Sequence, residues 1–203
     1  MTTDSLLSLI SDDIRDSIEV KQKILSDRLL LEQISRLTLD CHNSLKRGGK
    51  IIFAGNGGSF ADAQHLSSEF VSRFRFDRAP LASLTLATNS SSISAISNDY
   101  GYEKVFAREL EAVAHPQDVF IPITTSGNSS NVLEAIEVSS HLKIRTVCLT
   151  GESGGAAKDL CECLKIPSCD TARIQECHIL VGHILCGMVE SMFFHGPQSG
   201  GKI

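Results

Sequence analysis

His65 and Glu69 stand four residues apart in GNGGSFADAQHLSSEF, and far downstream TARIQECHILVGH carries Gln175 and His183. Residues at i and i+4 of a helix share a face, so this imidazole and carboxylate project into one space. A borderline divalent ion such as zinc accepts nitrogen and carboxylate donors, and the downstream segment offers further ligands. Spacing limits that reading. Gln175 and His183 are about 12 Å apart along a helix axis, so they meet one ion only if long side chains converge or different subunits contribute. His65 alone is more often a structural histidine than a ligand, and His/Glu pairs at this spacing are common without metal.

A second chemistry-bearing stretch is TTSGNSSN, where Thr124, Thr125, Ser126 and Ser129 surround a glycine turn just before a helix. Helix N-termini present unpaired N–H groups and a positive dipole end, so a neutral hydroxyl cradle there can hold phosphate without lysine. The plainer alternative is an N-cap with incidental serines. Gly55, Gly57 and Gly58 hint at a dinucleotide fingerprint, but Phe60 stands where the third glycine belongs, and no P-loop lysine follows. The turn can still present Asn56 and free amides to a polar ligand. Asn98 and Asp99, in SNDYG, read as turn chemistry after a serine-rich run. Cys161 and Cys163 lack the further Cys or His that a zinc site needs, and read as buried or incidental. Metal donors beside a phosphate cradle suit a phosphorylated sugar.

These residues need positioning elements. About Asp4 to Arg47 reads as two helices, with Leu6, Ile10, Ile14 and Ile18 recurring every four positions and Gly48-Gly49 as the stop. The apolar excess there fits burial against another subunit or against the domain's own core. Short apolar runs then alternate with helical stretches: strands at 50–54, 81–87, 118–123, 145–150 and 163–166, and a last helix over about 171–194. This succession predicts an α/β fold, a parallel sheet covered by helices on both faces. GNGGS and TTSGNSS both follow strand C-termini, where such folds bind ligands. The expected organisation is N-terminal helices over 1–48, the α/β domain over 49–195 and a flexible tail over 196–203.

The 203 residues suit one domain with a substantial core, and 42% apolar with 21% charged residues is ordinary globular composition. A net charge of −5 gives no reason to expect nucleic acid or an anionic membrane as partner. No apolar run approaches the ~20 residues of a membrane span, and the acidic N-terminus is not a secretory signal. Seven irregularly spaced cysteines fit reduced thiols in the cytoplasm.

In order and spacing, GNGGS, ADAQH with Glu69, SNDYG, TSGNS, LTG and RIQE leading to His183 make the chain resemble a sugar isomerase (SIS) domain. Within that superfamily it is similar to the bacterial phosphoheptose isomerases, over about residues 30–193. The resemblance implies a three-layer α/β/α sandwich with a five-stranded parallel sheet, assembled as a homotetramer with active sites between subunits. It implies zinc held by His65, Glu69, Gln175 and His183. It implies substrate contacts from Asn56, Gly57, Gly58, Glu69, Asn98, Asp99, Thr124, Thr125, Ser126, Ser129 and Gln175.

The implied reaction interconverts sedoheptulose 7-phosphate and D-glycero-D-manno-heptose 7-phosphate through an enediolate, for lipopolysaccharide or other surface glycans. Glu69 and His183 would be its acid/base pair. Phe60 and Asn89 depart from the family pattern, where a small or polar residue and an Asp are usual. Two rivals follow from the same resemblance: isomerisation of another sugar phosphate, or a non-catalytic SIS protein that binds a partner such as a replication initiator. Retention of both Glu69 and His183 favours an enzyme.

Overall fold

The computed structural model describes residues 2–196. Two helices come first, α1 (Thr3–Ser26) and α2 (Arg28–Lys46). They are followed by β1 (Ile51–Gly55), α3 (Gly58–Val71), β2 (Ser83–Thr85), α4 (Ser90–Tyr100) and α5 (Val105–Val113). The chain continues through β3 (Val119–Ile123), α6 (Ser130–His141), β4 (Arg145–Gly151), β5 (Glu162–Ile166) and α7 (Thr171–His195). The expected tail lies outside the described residues, Gly196 excepted.

All strand pairs are parallel, and the sheet order is β2-β1-β3-β4-β5. The chain therefore moves outward from β1 to β2 and then crosses back to β3. Strand order reverses between β1 and β3, which opens a crevice at their C-terminal ends. The two loops singled out in the sequence leave the sheet there, after Gly55 and after Ile123. Every residue of β1 and β3 is buried, as a strand covered on both faces requires.

Two apolar layers enclose the sheet. Phe53, Ile121, Leu149 and Leu164 pack with Leu37 of α2, Leu66 of α3 and Val181 of α7 on one face. Ile52, Phe120 and Cys148 pack with Phe106 of α5 and Ile136 of α6 on the other. The result is the expected three-layer α/β/α sandwich. α7 has the length and hydropathy of a membrane span, a property the short apolar runs of its sequence did not suggest. Half of that apolar window is buried, and the helix lies against α1, α2 and α3.

α1 and α2 are separated at Asp27, whose Oδ1 accepts from the Leu30 amide at 3.0 Å and caps α2. Only Val20 and Ile24 of α1 are buried, whereas Leu6, Leu7, Leu9, Ile10, Ile14 and Ile18 are 45–56% exposed. These side chains form an exposed apolar row along α1 in the single chain.

One local expectation is corrected. The segment holding Asn98 and Asp99 is the last turn of α4, not a free turn. Asn89 caps this helix, its Oδ1 accepting from the Ser91 and Ser92 amides, and Gly101 ends it at φ 91°. Ile93 and Ile96 anchor it on the core. A cap and two apolar anchors outweigh the weak helix preference of its serines.

Candidate active site between α3 and α7

α3 and α7 run side by side in the same direction. Gly58 opposes Gln175, Leu66 opposes Gly182, and the Cys186 thiol reaches the Leu66 carbonyl at 3.8 Å. This register brings His65, Glu69 and His183 together. His65 Nε2 lies 3.2 Å from Glu69 Oε1 and 2.9 Å from His183 Nε2. One ligand-capable atom from each of the three residues falls within 4.8 Å of the others, the one such cluster among the described residues. Two imidazoles and a carboxylate are a donor set that zinc accepts.

The site is open on one side, with the His65 side chain 47% exposed and Glu69 18%. The Phe74 ring stacks on His183 at 5.4 Å with an interplanar angle of 18°. Burial depresses the His183 pKa, the neighbouring His65 lowers it further, and Glu69 opposes both. The net lowering favours the neutral ring, the form that accepts a proton or binds a metal. Asp62, one turn before His65, was not singled out from the sequence. Its Oδ2 is buried without a partner, and burial raises its carboxyl pKa.

Gln175 sits apart from this cluster, two helical turns before His183. Its side chain lies so close to Gly58 that a Cβ there would meet Nε2 at 2.6 Å. A side chain at position 58 would therefore displace Gln175. Asn56 is likewise engaged within the protein. Its amide exchanges hydrogen bonds of 2.8 and 2.9 Å with buried Asn131 and accepts from the Tyr102 hydroxyl at 3.0 Å. Phe60 lines a small cavity beside this turn with Tyr102 and Phe106.

The hydroxyl-rich loop divides into two roles. Thr125 and Ser126 line a cavity of about 270 Å³ with Asn128, Gly151, Ser168 and Thr171. Thr124 is buried, and its Oγ1 lies 3.1 Å from Ser129 Oγ. Those two hydroxyls brace the loop, and Ser129 makes no side-chain cap to α6. Gly127 holds φ 68° with the Gly154 carbonyl directly against it, so no side chain fits at that turn. Ser168 and Thr171 went unnoticed in the sequence because the loop after β5 meets the loop after β3 only in three dimensions. Glu152 also lines the cavity and accepts from the Cys169 thiol at 3.4 Å.

Asn98 and Asp99 lie on an open groove along α4, where the Asn98 amide donates to Asp99 at 2.7 Å. Cys161 and Cys163 are free thiols on or beside the edge strand β5. They do not join the histidine cluster.

A SIS domain family profile matches residues 16–151. Over nearly its whole length the chain is similar to phosphoheptose isomerase 2 of Campylobacter jejuni, 50% identical over 192 residues, 94% of this chain and 96% of that one. The phosphoheptose isomerase of Aneurinibacillus thermoaerophilus is also 50% identical, over 91% of this chain and 94% of its own. The chain belongs to the phosphoheptose isomerase family of SIS-domain proteins. This is a family of sugar-phosphate isomerases. Its solved members include the Francisella tularensis enzyme, with TM-score 0.87 and 33% identity over 94% of this chain and all of that one. The Neisseria gonorrhoeae enzyme gives 0.84 and 36% over 92% of this chain and 99% of its own. The profile match stops at Gly151, so α7 with Gln175 and His183 is covered only by the full-length relatives.

Proposed function

We propose that this chain interconverts sedoheptulose 7-phosphate and D-glycero-D-manno-heptose 7-phosphate, with Glu69 and His183 as its proton-transfer pair. The observation that carries the reading is the meeting of His65, Glu69 and His183 on adjacent helices. Moving a carbonyl from C2 to C1 requires loss of the C1 proton and delivery of a proton to C2. The C–H electron pair becomes the C1–C2 double bond of an enediolate on the sugar, and the hydroxyl proton of O1 passes to O2. A carboxylate and a neutral imidazole close together are suited to these two transfers.

The cluster also fits a divalent ion, and zinc held by His65, Glu69 and His183 would polarise the sugar carbonyl as a Lewis acid. Gln175, on the same helix as His183, would be the fourth ligand. Ser126 and Thr125, with Ser168 from the facing loop, would hold the phosphate and so position the reacting carbons.

The phosphate cavity and the histidine cluster meet α7 at Ile174 and His183, nine residues apart. That separation is about 13 Å, and it supports a site completed across subunits of a homotetramer. The apolar row on α1 supports the same assembly. In the cytoplasm such an enzyme would supply heptose for lipopolysaccharide or another surface glycan. Glu69→Gln tests the reading: a folded variant that retains wild-type turnover removes Glu69 from the chemistry.

A further inference from the structure

Arg78 and Glu190 form a buried ion pair, with Nε 2.8 Å from Oε1 and side chains 2% and 0% exposed. Burying two charges is costly unless the remaining polar atoms are also satisfied. Here they are used to hold backbone. Arg78 Nη2 donates to the Glu69 carbonyl and Nη1 to the Phe70 carbonyl, both at 2.7 Å. These carbonyls belong to the last turn of α3, where no intrahelical partner exists. A guanidinium there also opposes the negative end of the helix dipole.

Glu190 faces the other way as well. Its Oε1 accepts from the Phe74 amide at 3.0 Å and its Oε2 from the Arg75 amide at 2.8 Å. Phe74 is the ring stacked on His183. Glu190 lies two turns beyond His183 on α7, on the same face. One ion pair therefore fixes the helix end that carries Glu69, the strap that carries Phe74 and the helix that carries His183.

We propose that Arg78 and Glu190 are positioning residues that set the separation of Glu69 and His183. The proposal rests on the reading of those two groups as the proton-transfer pair. An apolar pair of similar volume could fill the space, but it could not hold two carbonyls and two amides at once. Lysine is no substitute for the arginine, because a single ammonium cannot span Glu190 and the α3 carbonyls in the way the planar fork does.

The test compares Arg78→Lys and Phe74→Leu with wild type and Glu69→Gln, using full-length zinc-supplemented protein. Both variants are expected to lower kcat by about 10- to 100-fold while KM for the sugar phosphate stays within about twofold. In metal-free Arg78→Lys, the ring-proton NMR resonances of His183 are expected to move as Phe74 shifts. A folded Arg78→Lys with wild-type kcat and unmoved His183 resonances overturns the proposal. If Arg78→Lys does not fold, Phe74→Leu decides, since it leaves the ion pair intact; wild-type kcat there overturns the link to His183. An active Glu69→Gln would instead refute the reading of the site, and the His183 resonances in Arg78→Lys would still judge the clamp.

Discussion

Gly182 packs directly on Leu66, and a Cβ at position 182 would overlap the Leu66 side chain. Leu66 is fully buried in the core layer shared by α3 and α7. This contact fixes how closely α3 and α7 approach one residue before His183 and one residue after His65. Gly182→Ala should push the helices apart and destabilise the fold by roughly 1–3 kcal/mol. It should also weaken zinc binding, as measured by calorimetric titration of the metal-free protein. Unchanged affinity would mean that the helix spacing does not govern the cluster.

The hydroxyls lining the cavity between the loops after β3, β4 and β5 should act on substrate affinity. Ser126→Ala combined with Ser168→Ala is expected to raise KM about tenfold or more, at about 1 kcal/mol per lost hydrogen bond, with a smaller effect on kcat. Thr124→Val should behave differently, because Thr124 is buried against Ser129. Its cost should appear mainly in thermal stability. Steady-state kinetics and melting curves on the same preparations separate the two roles.

His178 gives a pH dependence of known sign. Its ring is buried, Nε2 lies 3.2 Å from the Thr150 carbonyl and Nδ1 has no partner. Burial pushes its pKa down to about 4, against the hydrogen bond to Thr150. An unfolded histidine titrates near 6.5, so between those values the unfolded chain binds the extra proton. Stability is then complete above about pH 6.5 and falls as pH drops toward 4, by up to roughly 3 kcal/mol from this group. His178→Asn should lose that part of the slope in denaturant titrations between pH 7 and 4. An identical slope would show that other groups carry it.

Much of this arrangement is legible in the sequence. Short apolar runs located all five strands because strands buried on both faces have continuous apolar sequence. His65 and Glu69 were found together because helical spacing makes them neighbours. What failed to show was whatever depends on distant segments meeting. That the Gln175 side chain lies against Gly58 follows from the parallel register of α3 and α7, which no local pattern displays. Ser168 entered the cavity through the sheet, and Arg78 met Glu190 across more than a hundred residues. The end of α4 at Asn98 and Asp99 read as a turn because those residue types favour turns locally, while the helix's cap and apolar anchors act only once the core exists.

The central claim is zinc-assisted isomerisation of a heptose phosphate at the His65–Glu69–His183 cluster. Its most direct test is turnover of sedoheptulose 7-phosphate by the purified protein, first stripped of metal and then resupplied with zinc, beside Glu69→Gln. The account predicts D-glycero-D-manno-heptose 7-phosphate only from the zinc-restored wild type, with the variant slower by about 10²- to 10⁴-fold. No product from folded, zinc-loaded wild type, or equal turnover by Glu69→Gln, would contradict it.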